Sequence, residues 1–512
     1  MKKIINGLKF LLLVSASVLL FSGCKKFLDR QPLSATLDDL SAGGLEQQVF
    51  ALYASQKESS AFGGIMWQAL HNFRADDSEK GSDLTDGADW VAAYDNFDYD
   101  KDHWCTNTYW DDHYAIINRA NTILQIADSL DLNDPQSQIF RAEARFMRAY
   151  MYFDLVRVYG EVPIIDFRIY NASEANVAKS EVAKVYELID NDLLFAISTL
   201  PGTWDPKYLG RTTSYAAMTL LAKTHMFRKN YSQAVALSDA VIASGRFSLL
   251  PVFWQVFKDA NENSSESIFE IQCAYIPNTA EPYGGNYYAT SMGIRGKPDQ
   301  SEWNLGWGWN TPTENLVNAF EPGDIRKNST ILFGGQSDDP ATGGYGRTIP
   351  PKGQFGLERK YWNKKVYADP AVQQAKSVLH ASWWINQRVF RYPEVLLTSA
   401  EAKNELGGAM SADSNTIKSL VNQVRNRAGL PSINYVSQAA MRTRIKQERR
   451  VEFALEGERF FDLVRWTPAP DGIDAPTVLG PLGYEPKNAV YPIPKPAIDR
   501  SNGKLVQNPL YP

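Results

Sequence analysis

Two stretches of this 512-residue chain set indole and phenol rings beside carboxylates and amides. The first runs from Arg74 through Asp76, Asp77, Asp83, Asp86 and Asp89 to Trp90. The second holds Tyr287 and Tyr288, then Trp303, Asn304, Trp307 and Trp309 among glycines. That mixture suits recognition of a sugar. A pyranose offers flat C–H faces ringed by hydroxyls, so it needs an apolar plate with a polar edge, which Trp and Tyr supply. Carboxylates, amides and guanidinium groups then read the hydroxyls. The chain carries 13 Trp, 25 Tyr and 24 Phe, and many of the Trp fall in polar, Gly-rich segments. Core packing is the commoner fate of a Trp, so exposure must decide. The candidate ligand-binding residues are Trp90, Trp303, Asp89, Asn304, Tyr287 and Tyr288. Trp383 and Trp384, beside a predicted strand, read as core.

Other chemistries fit less well. Asp98, Asp100 and Asp102 have the 1-3-5 spacing of a calcium loop, but His103 replaces the glycine at six and Tyr109 the glutamate at twelve. This reads as a solvated acidic turn. The run from Asp83 to Asp89 would hold a structural calcium only if the fold brought more oxygens, and no cofactor is expected. The five His show no zinc pairing, and there is no nucleophile elbow or P-loop. A helical glycoside hydrolase would need two carboxylates about 5–9.5 Å apart. With 58 acidic residues some such pair is inevitable, so its presence decides nothing. A protein-docking scaffold without glycan affinity is the third reading. A net charge of −5 and no basic stripe argue against nucleic acid. Cys105 and Cys273 could pair after export or stay as separate buried thiols.

The elements that must position these residues are mainly helical. From 45 to 247 apolar residues recur with a 3.6 period. Between 141 and 159, Phe146, Ala149, Tyr150, Phe153 and Val156 form one stripe, with Glu143, Arg145, Arg148 and Asp154 on other faces. A further helix is predicted over 182–200. Leu221, Ala222, His225, Tyr231 and Ala234 follow a tetratricopeptide-like spacing, and 396–428 offers a second helical pair turning at Leu406-Gly407-Gly408. Small residues let paired helices approach, and stacked pairs make a scaffold. From 248 to 390 the period fades into a loop-rich segment with short strands at 267–272 and 387–391. Helices return over 391–466, and 467–512 reads as an extended surface tail. The fold expected is thus a mainly α scaffold of tetratricopeptide-like helical pairs, one domain over 45–512.

The first residues carry an address. Lys2, Lys3 and Lys9 precede an apolar run from Phe10 to Phe21 that ends in Ser22-Gly23-Cys24. A basic start, a short apolar run and small residues form a secretory signal, and the run falls short of the ~20 residues a membrane-spanning helix needs. Cys24 after Ser-Gly resembles a bacterial lipobox. Residues 1–23 are expected to be the signal peptide, Cys24 the lipidated residue and 24–44 a tether.

Several ordered motifs are similar to those of SusD/RagB lipoproteins of Bacteroidetes. They are AEARFMRAY at 142–150, YFDLVR at 152–157 and YGEVP at 159–163. RYPEVLL at 391–397, AEA at 400–402, QERRVE at 447–452 and FFDLVRW at 460–466 follow. NRAN at 118–121, GDIR at 323–326, YPIP at 491–494 and QNP at 507–509 fit as well. The resemblance spans nearly the whole mature chain. It implies a surface-exposed outer-membrane lipoprotein that captures a nutrient oligo- or polysaccharide, with a SusC-like TonB-dependent transporter as partner and no enzymatic activity. It further favours Trp90 and Trp303 as glycan aromatics and makes Trp307 part of a structural turn. Glu448, Arg449, Arg450, Glu452, Asp462 and Arg465 are expected to form ion pairs of the scaffold, with Arg74, Asp76 and Asp77 in a satisfied polar network.

Overall fold

The helices over the first half follow the apolar period closely: α1 (Gly44–Glu58), α2 (Gly64–His71), α3 (Trp104–Ser129), α4 (Pro135–Tyr159), α5 (Val182–Thr199), α6 (Ser214–Phe227) and α7 (Tyr231–Ala243). The loop-rich region contains α8 (Tyr287–Met292), and after it come α9 (Tyr392–Glu405), α10 (Ser411–Arg427), α11 (Gln438–Glu452) and α12 (Arg459–Trp466). The structure is a computed structural model that describes residues 44–58, 60–83, 85–87, 92–276, 287–297, 301–376, 383–407 and 411–511. From Val49 onward the chain forms one unit. Among the described residues no helix is long and apolar enough to cross a membrane.

Helix ends are written locally. Asp134 accepts from the N–H groups of Gln136 and Ser137 at 3.0 and 3.1 Å, just ahead of Pro135. Thr213 accepts from Ala216 at 3.2 Å and Ser437 from Ala440 at 3.1 Å. Each cap satisfies an N–H the helix cannot. Gly160, with φ of 76°, closes α4 in a conformation L residues rarely adopt.

The helices pack in a continuous series: α3 on α4, α4 on α5, α5 on α6, α6 on α7, α7 on α9, and α9 on both α10 and α11. The two helical pairs expected around 221–234 and 396–428 therefore become neighbours across the inserted loop-rich segment. Their seam is made of small residues. Ala234, fully buried, meets Met226 and Ala402, with Tyr231 and Val235 at the margin.

Lying between α3 and α5, α4 is buried on nearly every side, its charged faces included. Its charges are paired. Glu143 accepts from Arg211 Nε at 2.7 Å, and Arg148 forks onto Asp192 at 2.7 and 2.8 Å. Asp154 pairs with Arg157 and Arg145 reaches towards Asp192. Buried charge is tolerable only when matched this way.

Among the described residues six short strands make three antiparallel pairs: β1 (Ser78–Gly81) with β3 (Trp309–Pro312), β2 (Ser267–Ile271) with β6 (Gln387–Arg391), and β4 (Ile331–Phe333) with β5 (Tyr361–Asn363). The β2–β6 pair joins the two strands predicted from alternation. Trp383 and Trp384 stack in a core cluster beside it, as expected.

The family motifs serve the scaffold. Arg326 binds Asp324, Glu448 and Glu452; Arg449 and Arg465 share Asp462; Arg450 bridges Asp77 and Asp76. Arg74 is completely buried, its guanidinium wedged between the rings of Phe460 at 3.7 Å and Tyr491 at 4.0 Å. That wedge corrects the reading of the tail as an extended surface strap. Tyr491 and Ile493 are buried, Asn508 Nδ2 donates to the carbonyls of Tyr159 and Tyr491 at 2.7 Å each, and Lys495–Arg500 is a helical turn. Cys105 and Cys273 are free thiols, and burial pushes Cys273 up to about 12.

Candidate functional site

The β1–β3 ladder sets Ser78 opposite Pro312, Glu79 opposite Thr311 and Gly81 opposite Trp309. This single pairing draws the two ring-and-carboxylate stretches together. Glycines then allow their backbones to touch. A Cβ on Gly306 would lie 2.6 Å from both Gly293 Cα and Thr290 O, and one on Gly308 3.2 Å from Ser82 Cα. Leu305, Trp307 and Gly308 donate backbone N–H groups to Ile294, Thr290 and Gly293 at 2.8, 2.9 and 2.8 Å. The Gly-Trp-Gly run is thus a backbone clamp between 290–294 and the first stretch.

Its indole nevertheless stays half out. Trp307 stacks on Tyr287 with ring centroids 5.4 Å apart and planes at 28°. Both side chains are half-buried, and no described group hydrogen-bonds to the Tyr287 hydroxyl or the Trp307 indole N–H. The neighbouring Tyr288 turns inward. It meets Trp67 edge-on at 5.5 Å and packs against the cluster of Met292 and Trp383, and burial pushes its phenol far above the usual value.

Trp303 departs from its expected role as an open plate. It is 4 % exposed in a cluster with Ile294, Leu305, Trp362 and Tyr367. The Arg347 guanidinium lies 4.3 Å from its ring centroid and in turn bonds Glu302 at 2.6 Å. Asn304 is 7 % exposed and its amide is unpaired among the described residues. Asp89, Trp90 and Cys24 lie outside the described residues.

Charge gathers where Gly308 meets Ser82 and Arg295. Arg295 donates to Ser82 Oγ at 3.0 Å, pairs with Asp86 and lies 3.5 Å from Asp83. Lys80 Nζ donates to the carbonyls of Asp83 and Asp86 at 3.0 and 2.6 Å, and Arg359 to those of Ser82 and Gly81 at 2.8 and 2.7 Å. Three cations therefore clamp the backbone and side chains of Gly81, Ser82, Asp83 and Asp86. Asp95 accepts the Lys80 backbone N–H at 2.9 Å, and burial raises its carboxyl to about 7. Sequence reasoning missed Lys80, Arg295 and Arg359. Arg295 did carry a signal, as one of two cations, with Lys297, between Tyr288 and Trp303. Asp76 and Asp77, by contrast, are taken up by Arg450 and Arg459 beneath the ladder.

A stacked-helix scaffold that holds aromatic and charged side chains on clamped loops defines a ligand-binding module. The comparisons name its family. Residues 265–511 match the model described as the SusD family, and residues 26–226 the one described as "Starch-binding associating with outer membrane". SusD-like protein P2 of Formosa agariphila is 30 % identical over 500 residues, covering 91 % of this chain and 92 % of that protein. The chain belongs to the SusD family. Among solved structures, a laminarin-binding SusD-like protein superimposes with a TM-score of 0.72 at 26 % identity, over 91 % of this chain and 99 % of that one. Surface glycan-binding protein A of Bacteroides thetaiotaomicron, in complex with laminarihexaose, shares the fold with a TM-score of 0.72 at 23 % identity, over 91 % and 98 %.

Proposed function

We propose that this protein is a cell-surface lipoprotein of the outer membrane that binds a nutrient oligo- or polysaccharide and passes it to a SusC-like TonB-dependent transporter, without hydrolysing it. The observation that carries the reading is the half-exposed Tyr287–Trp307 stack. Its faces suit the C–H side of a sugar, and its free hydroxyl and indole N–H suit the rim. In this reading Arg295, Asp83, Asp86, Asp89 and the Asn304 amide would read the sugar hydroxyls, with Trp90 as a further plate. Family membership supports the same conclusion, and the laminarin-binding relative makes laminarin the first polysaccharide to try. Lipid on Cys24 would hold the chain at the membrane, with 24–44 as its tether.

Affinity electrophoresis against a polysaccharide panel, followed by calorimetry, tests this directly. Trp307→Ala and Tyr287→Ala are each expected to weaken binding by about tenfold or more, roughly 1.4 kcal/mol. Trp303→Ala should chiefly lower the unfolding temperature, since it empties a core site. Equal retardation of wild type and both platform variants would remove the stack from the site. Release of reducing ends from the polysaccharide would favour a hydrolase instead. For the anchor, Cys24→Ala should move the protein from the membrane to the soluble fraction, and retention at the membrane would refute lipidation there.

A further inference from the structure

We propose that a second carbohydrate subsite, sized for a single sugar ring, lies between the α5–α6 loop and β2, sharing no residue with the Tyr287–Trp307 platform. A cavity of about 180 Å³ opens there. That is below the ~300–1,000 Å³ of sites that enclose drug-sized ligands, so it suits one ring and not a chain.

Its walls have the chemistry of sugar recognition. Trp204 lines it with a ring fixed twice: the indole N–H donates to Thr212 O at 2.8 Å, and the Arg211 guanidinium sits 4.1 Å from the ring centroid. Arg211 is itself held by Glu143, so the aromatic wall is set before any ligand arrives, which limits the ordering cost of binding. Phe247 adds a second ring. The mouth is rigid as well. Gly210, at φ of 95°, brings its backbone against Gln272, whose amide exchanges two hydrogen bonds with Asn263 at 2.9 and 3.0 Å.

The polar lining is unspent. The hydroxyls of Thr203, Ser264 and Ser267 and the Arg246 guanidinium bond to no described group. A neutral polyol suits three hydroxyls and one guanidinium, because each sugar hydroxyl both donates and accepts. Glu270, paired with Arg388 at 3.4 Å and accepting from Asn386 at 2.9 Å, is buried behind this wall. A cation would meet Arg246.

The ligand class rests on the glycan-binding reading; the cavity does not. The test is saturation-transfer NMR of the full chain with glucose, galactose, mannose, xylose and fucose, alongside gel retardation by polysaccharide. At least one sugar should receive saturation from wild type and from Trp307→Ala, and lose it about fivefold or more with Trp204→Ala and Ser264→Leu. Ser264→Leu fills the cavity while leaving Trp204 and its bonds untouched, so it guards against simple loop unfolding. Transfer that survives Ser264→Leu would overturn the subsite. So would absence of transfer from every sugar while polysaccharide still retards the chain, and that result would leave the platform reading standing. Loss of gel retardation with Ser264-sensitive transfer intact would do the reverse.

Discussion

Tyr287 and Tyr288 are one peptide bond apart, yet one stacks on a half-exposed indole and the other packs among Trp67, Met292 and Trp383. The same divergence separates Trp307 from Trp303. Residue type announced sugar-binding capacity in this loop, but in an irregular segment no period tells an inward ring from an outward one. The two assignments for Trp303 and Trp307 therefore came out reversed in exposure. Asp95 provides a residue-scale prediction. Its folded carboxyl, raised to about 7 by burial and with Glu79, Lys80 and Arg359 facing it, keeps a proton that the unfolded chain releases near 4. Between those values the folded state binds more protons, so this group lowers stability as pH rises, and the loss is complete above about 7. Asp95→Asn keeps an oxygen for the Lys80 N–H. It should stabilise the protein by on the order of 1–2 kcal/mol at pH 8, after solvent screening, and by almost nothing at pH 4. Thermal melts at the two pH values decide it, and an equal effect at both would be contrary.

At the scale of elements, caps and periods acted locally and were readable. Asp134 with Pro135, the Gly160 stop and the Thr213 cap each work through neighbours in sequence. What α4 packs against was not readable, because Arg211 and Asp192 reach it from outside its own turn. The loops depend on glycine at points of backbone contact. Gly306→Ala would press a methyl group onto Gly293 and Thr290. Neither is a flexible side-chain end that could swing aside, so the 305–308 strap must shift. We expect weakened polysaccharide binding together with a loss of about 1–3 kcal/mol in stability, read by calorimetry and chemical denaturation. A variant with wild-type values in both would show that the strap is not what holds the platform.

Over the whole molecule, one buried charge network ties the loop-rich segment to the helices that follow it. Glu452 accepts from Arg391 at 2.9 Å, Arg427 at 2.6 Å and Arg326 at 3.1 Å, while Arg391 also reaches Glu266 and Glu456. Burial works against ionisation, but Arg427, Arg391 and Arg326 together hold the Glu452 carboxyl well below the usual range. Glu452→Gln leaves three buried guanidinium groups short of a counter-charge and should cost about 3–5 kcal/mol. Lys184→Gln, in an exposed pair with Glu187, should cost less than about 1 kcal/mol. Comparable denaturation midpoints for the two variants would contradict the role given to the network.

The amino-acid sequence by itself determined the helical repeat, the β2 and β6 strands, the scaffold role of the charged motifs and the kind of chemistry the loops could perform. Those features rest on spacing, capping and composition, which act over a few residues or announce themselves by type. Only the tertiary structure decided which indole is open, where the tail is anchored and which cations clamp the site. Those outcomes depend on the antiparallel meeting of β1 with β3 and on helices packed across a long insertion, where burial is set by distant partners.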